Sequence, residues 1–321
     1  MSVRRSFAII GTGALGGLYG GLLARYGFEV HFLANRDAKH LRDVGLRVES
    51  PLGDFQLDQV NVHSDPATLP ACDVTIVALK TTQNHLLKEI LPVSTRAGGH
   101  VLVLQNGLDV ERDSERVIGE GRVLGGCCFL CSNKVGPGHI RHLDYGSIVF
   151  GDYASQTKTR SPVSISEKAE AIAEDLQAAG IDAKTTDDLP MTRWKKLMWN
   201  IPFNGLSVAL DASTKEIVDH PDSVQLAETI IREVHGAAIS LGVMVPEAWI
   251  QKQIDATKKM VPYDASMRLD FKYGRPMELD AIFANPIKAA ESVGYRMPSV
   301  SMLLMQLRFL EFMQEEKRLL R

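Results

Sequence analysis

Residues 6–16 read SFAIIGTGALG, and this stretch decides the fold of the first half of the chain. The apolar run Ser6–Ile10 predicts a buried strand, and Ala14–Tyr26 continues with helical spacing. Between them the glycines fit G-x-G-x-x-G, which in a strand–turn–helix context is typical of dinucleotide-binding proteins. We predict that Gly11 permits the tight turn, Gly13 lets a pyrophosphate approach, and Gly16 lets the helix pack closely on the strand.

Short apolar runs alternate with helical patterns from this stretch onward. Such alternation predicts βαβ units and a parallel sheet. The predicted strands are Ser6–Ile10, Glu29–Leu33, Val74–Leu79, Val101–Leu104 and Leu124–Leu130. Residues 136–151 alternate glycine, histidine and apolar residues, which predicts antiparallel hairpin strands added at one edge of the sheet. A helix over Lys168–Ala179 and a strand over Ile181–Thr185 complete this half.

Beyond residue 186 the strand signals fade and helical patterns dominate. The predicted helices are Leu206–Val218, Ser223–Gly242, Glu247–Met260, Pro276–Val293 and a tail from Val300 to the end of the chain. The fold class is therefore α/β, with a Rossmann-like nucleotide-binding domain over residues 1–185 and an all-helical domain over residues 186–321.

Composition narrows the function classes. The chain has 36 Lys and Arg against 39 Asp and Glu, a net charge of −3, so nothing attracts it as a whole to nucleic acid or an anionic membrane. It also lacks an apolar window of about 18 residues that could span a membrane. Three of the four cysteines, Cys127, Cys128 and Cys131, crowd together, which argues against a disulfide framework and for a reducing cytoplasm. Because Cys128-x-x-Cys131 has no second pair to complete a zinc site, we interpret these residues as small side chains in a buried strand.

The end of the second strand bears on the choice of cofactor. NAD-binding proteins usually place an acid there for the ribose 2′-hydroxyl, but this strand ends with Asn35 and Arg36. Arg36 can pair with a 2′-phosphate and Asn35 can donate to it, which favours NADP(H). The alternative is an ordinary surface arginine. Asp37, one position later, fits a helix N-cap better.

Two further polar segments follow predicted strands. Lys80 begins the run after Val74–Leu79, and Gln105 and Asn106 follow Val101–Leu104. Ligands bind outside the carboxyl ends of strands in open α/β sheets. Alone each residue is an ordinary loop residue, but together they predict the wall of a crevice.

A polar stripe in the second half carries the candidate chemistry. Lys196, Asn200 and Asn204 are spaced i, i+4, i+8 and share one helix face among apolar neighbours. A solvent-facing stripe is the alternative, although it would more often hold Glu and Lys than two Asn. Pro202 should kink this helix or free a carbonyl. Lys195, about 100° around the helix, should face elsewhere.

These motifs and two later spacings point to one family. The stretches concerned are Gly11–Gly16, Val77–Thr81, Gln105–Gly107, Trp194–Asn200 with Asn204, and Ser266–Asp270 with Gly274–Glu278. Together they resemble the ketopantoate reductase family over nearly the whole chain.

That resemblance implies an activity and a set of roles. The family reduces 2-dehydropantoate, a small 2-keto acid, to (R)-pantoate with NADPH, on the way to pantothenate, and its helical domain is like the C-terminal domain of 6-phosphogluconate dehydrogenase. By resemblance Lys196 is the general acid, and Glu278 positions it, in a cleft between the domains. Substrate or nicotinamide would be held by Asn106, Asn200, Asn204 and Ser266. The cofactor would be held by Gly11, Gly13, Ala14, Leu15, Gly16, Asn35, Arg36, Lys80 and Asn106. The resemblance leaves both a monomer and a homodimer open.

The chain departs from the family pattern at two positions. Tyr263 stands three residues before Ser266, where the family often has a substrate-site asparagine, and Asn285-Pro286 stands where Asn-Gly is often found. Two alternatives therefore remain: a reductase of a different 2-keto acid, and an NADP(H)-binding sensor without turnover.

Two site residues also keep a structural alternative. Ser266 fits a helix N-cap, with Asp270 near the position of a capping acid. Glu278 fits a first-turn acid after Pro276, where the helix dipole favours it.

Overall fold

The computed structural model describes residues 4–154 and 164–319. The chain divides into two compact units. Unit 1 runs to Gln105 and resumes over Val110–Leu189, and unit 2 comprises Asn106–Asp109 and the chain from Pro190. The boundary predicted from the sequence, between residues 185 and 186, lies just before this division and does not include the excursion at Asn106–Asp109.

Unit 1 is built on one mixed sheet flanked by helices. Its strands are β1 (Ser6–Ile10), β2 (Glu29–Leu33), β3 (Leu46–Glu49), β4 (Phe55–Leu57), β5 (Asn61–His63), β6 (Cys72–Val77), β7 (Thr95–Val103), β8 (Val123–Gly136), β9 (His139–Asp152) and β10 (Ala183–Thr185). Its helices are α1 (Ala14–Tyr26), α2 (Ala38–Asp43), α3 (Leu87–Ser94), α4 (Arg112–Ile118) and α5 (Glu167–Ala178).

The sheet has the order β4-β3-β9-β8-β7-β6-β1-β2-β5, with β10 also paired to β9. The run from β8 to β5 is parallel, which confirms the predicted Rossmann-like core. The hairpin partner β9 is antiparallel to β8, as predicted. Its placement at an edge is wrong, because β3 and β10 both pair in parallel with the other side of β9.

Helix α1 lies unusually close to the sheet because glycines face it. A Cβ atom at Gly17 would lie 2.7 Å from the Ile140 side chain, and one at Gly20 would lie 2.5 Å from the Phe32 ring. Side chains of any size at these positions would push the helix away from the sheet. This close packing fixes the N-terminus of α1 at the carboxyl end of β1, where the glycine-rich loop lies.

Every element described in unit 2 is helical, which confirms the predicted class of this domain. The helices are α6 (Leu189–Ala209), α7 (Thr214–Asp219), α8 (Pro221–Ser240), α9 (Ala248–Lys259), α10 (Ser266–Lys272), α11 (Asn285–Glu291) and α12 (Pro298–Leu319), with a π-helix over Asp280–Ala284 leading into α11. Residues 320–321 of the predicted C-terminal helix lie outside the described residues. Across residues 4–154 and 164–319, no helix is long and apolar enough to span a membrane.

Two predicted helices of unit 2 have different bounds in the structure. The helix predicted over Leu206–Val218 is wrong, because α6 ends at Ala209 and α7 starts anew after Ser213. The Ser213 hydroxyl accepts from the Glu216 N–H while the Glu216 carboxylate accepts from the Ser213 N–H, a capping box that fixes this new start. The helix predicted from Pro276 begins only after Glu278.

Candidate active site

The fold requires glycine at two positions of the glycine-rich loop, Gly11 and Gly16, but not at Gly13. Gly11 has φ of +100°, and a Cβ there would lie 2.7 Å from the Leu79 nitrogen. A Cβ on Gly16 would lie 2.0 Å from the Gly11 carbonyl oxygen. Around Gly13, by contrast, a Cβ would meet no atom of the described chain within 4 Å. Open space therefore borders the backbone of Gly13, as the approach of a ligand requires.

The N-terminus of α1 starts at this open position. Gly13 is its N-cap, without a side-chain capping bond, and the first turn holds no acidic residue. The backbone N–H groups of Ala14 and Leu15 belong to the first turn, whose donors have no acceptor within the helix. With the positive end of the helix dipole, these donors form a site suited to phosphate.

The tip of β2 presents an exposed cation. Asn35 and Arg36 are exposed, and Arg36 has no hydrogen-bond or ion-pair partner within the part of the chain that the structure describes. Asp37 is buried, and its carboxylate forms an ion pair with Lys134 and accepts the Gly138 N–H at 3.2 Å. Asp37 occupies the N-cap position of α2, as predicted, but its side chain makes no capping bond there.

The carboxyl ends of three adjacent parallel strands carry the cofactor candidates. β1 pairs with β2 on one side and β6 on the other, so the glycine loop lies between Arg36 and Lys80 in strand order. Lys80 is half-buried at the start of a 3₁₀ turn. The buried Gln105 amide donates to the Leu79 carbonyl at 2.9 Å and to Asn84 Oδ1 at 2.7 Å. Gln105 thus braces the chain just before Lys80, a role that its position in the sequence does not reveal.

The polar face of α6 is not a solvent-facing stripe. Asn200 and Asn204 are each 2% exposed, which excludes that alternative for both. Lys196 is half-buried, with its Nζ 5.7 Å from the centre of the Trp199 ring. Lys195 Nζ lies 4.7 Å from the centre of the Trp249 ring, on α9. The two neighbouring lysines therefore have different aromatic partners, as their helical spacing predicts.

The two asparagines of α6 make contacts with other candidate segments. Asn200 Nδ2 donates to Asn106 Oδ1 at 3.3 Å, and Asn204 Oδ1 accepts the Met267 N–H at 3.4 Å. Met267 follows Ser266, the first residue of α10. One helix face thus brings Asn106 and the start of α10 together.

Ser266 is not a helix N-cap. Ala265 occupies that position, and its side chain makes no capping bond. Asp270, the capping acid in that alternative, instead pairs with Arg275 at 2.9 Å. Ser266 is half-buried in the first turn, which leaves its hydroxyl as a candidate ligand contact.

The segment Asn106–Asp109 is anchored to the π-helix and α11. The Leu108 N–H donates to the Ala281 carbonyl at 2.9 Å, and Asn285 Nδ2 donates to the Leu108 carbonyl at 2.9 Å. Gly107 has φ of +118°, and a Cβ there would lie 2.6 Å from Ala281. The sequence alone identifies Asn285 only as part of a departure from the family pattern, and gives it no role. The signal that could have revealed its role is the i+4 spacing from Ala281, which places both on one helix face.

Glu278 is a buried carboxylate at the entrance to the π-helix. It is 4% exposed and precedes the first helical residue, Leu279, so it lies just before the first turn in which the alternative placed it. Its carbonyl accepts the Ile282 N–H at 3.1 Å. Short π-helices occur frequently at functional sites. A buried carboxylate is costly unless it is paired, which makes Glu278 a candidate partner for a cation.

Tyr263 is buried in unit 2. It is 7% exposed, and its carbonyl accepts both the backbone N–H of Thr214 at 3.3 Å and its Oγ1–H at 3.0 Å. These two bonds hold the loop before α10 against the start of α7.

Comparison with known proteins identifies the family. The 2-dehydropantoate 2-reductase of Nostoc sp. is 48% identical over 307 residues, covering 96% of this chain and 95% of that protein. The chain belongs to the ketopantoate reductase family. The family model described as ketopantoate reductase PanE/ApbA matches residues 7–155, and the model of its C-terminal part matches residues 188–311. The resemblance found in the sequence is thereby confirmed.

Solved structures give the same assignment for the fold. A 2-dehydropantoate 2-reductase from Geobacter metallireducens superposes with a TM-score of 0.89 at 37% identity, covering 94% of this chain and 99% of that one. A D-mandelate dehydrogenase superposes with a TM-score of 0.85 at 20% identity, covering 97% and 99%, and shares the fold. The ketopantoate reductase fold is therefore common to enzymes with different names.

Proposed function

We propose that this ketopantoate reductase family member catalyses the NADPH-dependent reduction of 2-dehydropantoate to (R)-pantoate, as an oxidoreductase acting on a CH–OH group. The observation that carries the proposal is the buried polar face of α6, where Lys196 lies one turn before Asn200, which is bonded to Asn106. Relatives named 2-dehydropantoate 2-reductase support the substrate.

The residues at the carboxyl ends of β1, β2 and β6 fit a dinucleotide phosphate. The open backbone at Gly13 and the uncapped N-terminus of α1 suit the pyrophosphate. Arg36 suits the 2′-phosphate, and the commitment of Asp37 to Lys134 leaves that carboxylate unavailable for a ribose hydroxyl. When bound, the reduced nicotinamide supplies the hydride that reduces the ketone. The D-mandelate dehydrogenase structure contains NADH, so the preference proposed here for NADPH rests on Arg36.

Ketone reduction leaves negative charge on the carbonyl oxygen, and Lys196 is the proposed proton donor to it. Its half-buried position keeps water limited around the ammonium group without burying the charge fully. Glu278 is the proposed carboxylate that orients this ammonium group. Asn106 accepts from Asn200 through its oxygen, which leaves its own N–H groups to donate to a substrate oxygen.

The test of the acid role compares two adjacent lysines. Lys196→Met should lower kcat for 2-dehydropantoate about 10²–10⁴-fold, the usual contribution of a positioned general acid. Lys195→Met is the matched control and should retain turnover, because Lys195 lies over Trp249. The rate is followed as loss of NADPH absorbance. Normal turnover by the Lys196 variant would sink the assignment, and tight NADPH binding by wild-type protein without turnover would favour the sensor.

The cofactor preference is tested at the tip of β2. Arg36→Ala should raise the KM for NADPH about 10–100-fold, as expected for losing a charge-assisted contact to phosphate, and should leave the KM for NADH unchanged. Arg42→Ala, an exposed arginine on α2, is the control. An equal effect on both cofactors would contradict the role of Arg36 in 2′-phosphate recognition.

Tyr263 supports a second candidate, a reductase of a different 2-keto acid. Its ring is buried in the loop directly before Ser266, where it can alter the shape of a substrate pocket. Tyr263→Asn should then raise kcat/KM for 2-dehydropantoate relative to other 2-keto acids in a panel. If wild-type protein already prefers 2-dehydropantoate over the whole panel, this candidate is eliminated.

The cellular setting and assembly are also proposals. All four cysteines are buried as thiols and form no disulfide, which supports work in the reducing cytoplasm. The homodimer that the resemblance leaves open is supported by the outer face of α12.

A further inference from the structure

Helix α12 is apolar on two opposite faces. The inner face belongs to the core of unit 2, and its residues Val300, Leu303, Leu304 and Leu307 are at most 5% exposed. The outer face holds large exposed side chains: Met302 (54%), Met305 (64%), Phe309 (61%), Phe312 (55%) and Met313 (37%). Helices that are apolar all round are typically covered on both sides.

The outer face has the spacing of a helix-pairing seam. Met302, Met305, Phe309 and Phe312 follow one another at intervals of three, four and three residues, as the a and d positions of a heptad do. They extend along about 15 Å of the helix. Isolated exposed apolar residues are ordinary, but a contiguous stripe of Met and Phe is typical of an interface.

We propose that the outer face of α12 docks, antiparallel, on the same face of a second copy of this chain. A two-fold axis at the level of Leu307 places Met302 opposite Phe312 of the second copy and Met305 opposite its Phe309. Every methionine of these pairs then meets an aromatic ring, a favourable sulfur–aromatic contact. Parallel pairing would place methionine on methionine and phenylalanine on phenylalanine, so the order of residues along the seam favours the antiparallel arrangement.

The apolar area reaches the lower limit of a specific dimer interface. Phe side chains, and Met side chains of similar size, offer about 150–250 Å² each, so the exposed fractions above leave on the order of 500 Å² per copy. A pair would bury about 1,000 Å², the size at which specific interfaces begin. Arg308 flanks the seam and pairs with Asp280 at 3.2 Å, as expected for a polar rim.

The interface is independent of the proposed function. None of the exposed residues on the outer face of α12 is a candidate catalytic or cofactor residue. A mass measurement therefore tests the dimer, and an activity measurement tests the proposed function, and either proposal can be refuted without the other.

The first test is the mass of the full chain in sedimentation equilibrium at tens of micromolar. Wild-type protein should have twice the 35.3 kDa chain mass. Met305→Lys places a charge in the seam twice per dimer and should raise the dissociation constant about a thousandfold, giving a monomer. Met244→Lys is the matched control, since Met244 is 67% exposed between α8 and α9, and it should remain a dimer. A monomeric wild type, or a dimer unaffected by Met305→Lys, would overturn the proposal.

A second pair of variants tests the orientation. Phe309→Glu alone should also give a monomer, whereas Met305→Lys combined with Phe309→Glu should re-form the dimer, because antiparallel pairing places the lysine opposite the glutamate. Parallel pairing would place like charges together. A double variant that stays monomeric, while its circular dichroism and melting temperature match those of wild type, overturns the antiparallel arrangement.

Discussion

Replacing Asn285 by alanine tests whether the Asn106–Asp109 segment positions Asn106 for catalysis. The Asn285 amide donates to the Leu108 carbonyl at 2.9 Å, in the middle of that segment. The neighbouring Leu108 N–H is bonded to Ala281, and the Leu108 side chain is 4% exposed. Because these other anchors remain, the variant should loosen the segment without detaching it.

The expected magnitude follows from the lost hydrogen bond. A buried carbonyl that loses its donor costs about 1–3 kcal/mol, so Asn285→Ala should lower stability by about that amount and still fold. A displacement of about 1 Å in a group that orients substrate can cost about 10²-fold in rate. We therefore expect kcat/KM for 2-dehydropantoate to fall about 10–100-fold, mostly in kcat. The affinity for NADPH should change little, because the glycine loop and Arg36 are untouched.

Initial rates at varied 2-dehydropantoate, together with thermal unfolding, separate the two effects. Asn285→Asp keeps the size of the side chain and removes the donor, so it should be at least as damaging as alanine. Ser292→Ala, at an exposed position that follows α11, is the control and should match wild type.

A double-mutant cycle with Asn106→Ala decides whether Asn285 works through Asn106. If it does, the losses in kcat/KM will not multiply. Asn106→Ala removes the side chain that Asn285→Ala only displaces, so Asn285→Ala should cost little more once Asn106 is alanine. Losses that multiply, or an Asn285→Ala protein with a lowered melting temperature and unchanged kcat, would refute this reasoning.

Three further outcomes follow from the structure. Gly13→Ser should leave the melting temperature nearly unchanged, because serine also suits an N-cap, and should raise the KM for NADPH. Gly16→Ala should destabilise the fold, because its Cβ would lie 2.0 Å from a backbone oxygen. Burial raises the pKa of the Cys72 thiol to about 11, so native protein at about pH 8 should not be labelled there by a thiol reagent, and denatured protein should be. Burial acts to raise the pKa of Asp73, but hydrogen bonds from Ser6 and the Arg96 guanidinium outweigh it and lower that pKa. This stabilisation is full above about pH 4 and is lost as the pH falls through the lowered pKa, so Asp73→Asn should weaken the dependence of the melting temperature on acid pH.

The sequence predicted the elements whose signals are local. The bounds of β1, α1 and β2 match the predicted ones, because each is an uninterrupted apolar or periodic run ended by glycine or polar residues. The strands β3, β4 and β5 were missed because they are only three or four residues long. That omission also caused the error at β9, since its second neighbour in the sheet is β3.

The candidate site was predictable where its residues share one helix. The i, i+4, i+8 spacing is enough by itself to place Lys196, Asn200 and Asn204 on one face. The bond between Asn200 and Asn106 joins residues 94 positions apart, and no local pattern could supply it. The same holds for the anchor that Asn285 provides for Leu108, 177 positions away.

Asp37 shows how a distant contact changes the interpretation of a local motif. From the sequence, the carboxylate of Asp37, one position after Arg36, is predicted to cap the helix that follows. In the structure that carboxylate is buried and bonded to Lys134 and the Gly138 N–H, both about a hundred positions later. Its charge is therefore compensated inside the fold, and the exposed Arg36 remains as the group that can meet a phosphate. The proposed preference for the phosphorylated cofactor thus depends on which charge is neutralised, and the contacts of Asp37 with the β8–β9 hairpin decide that.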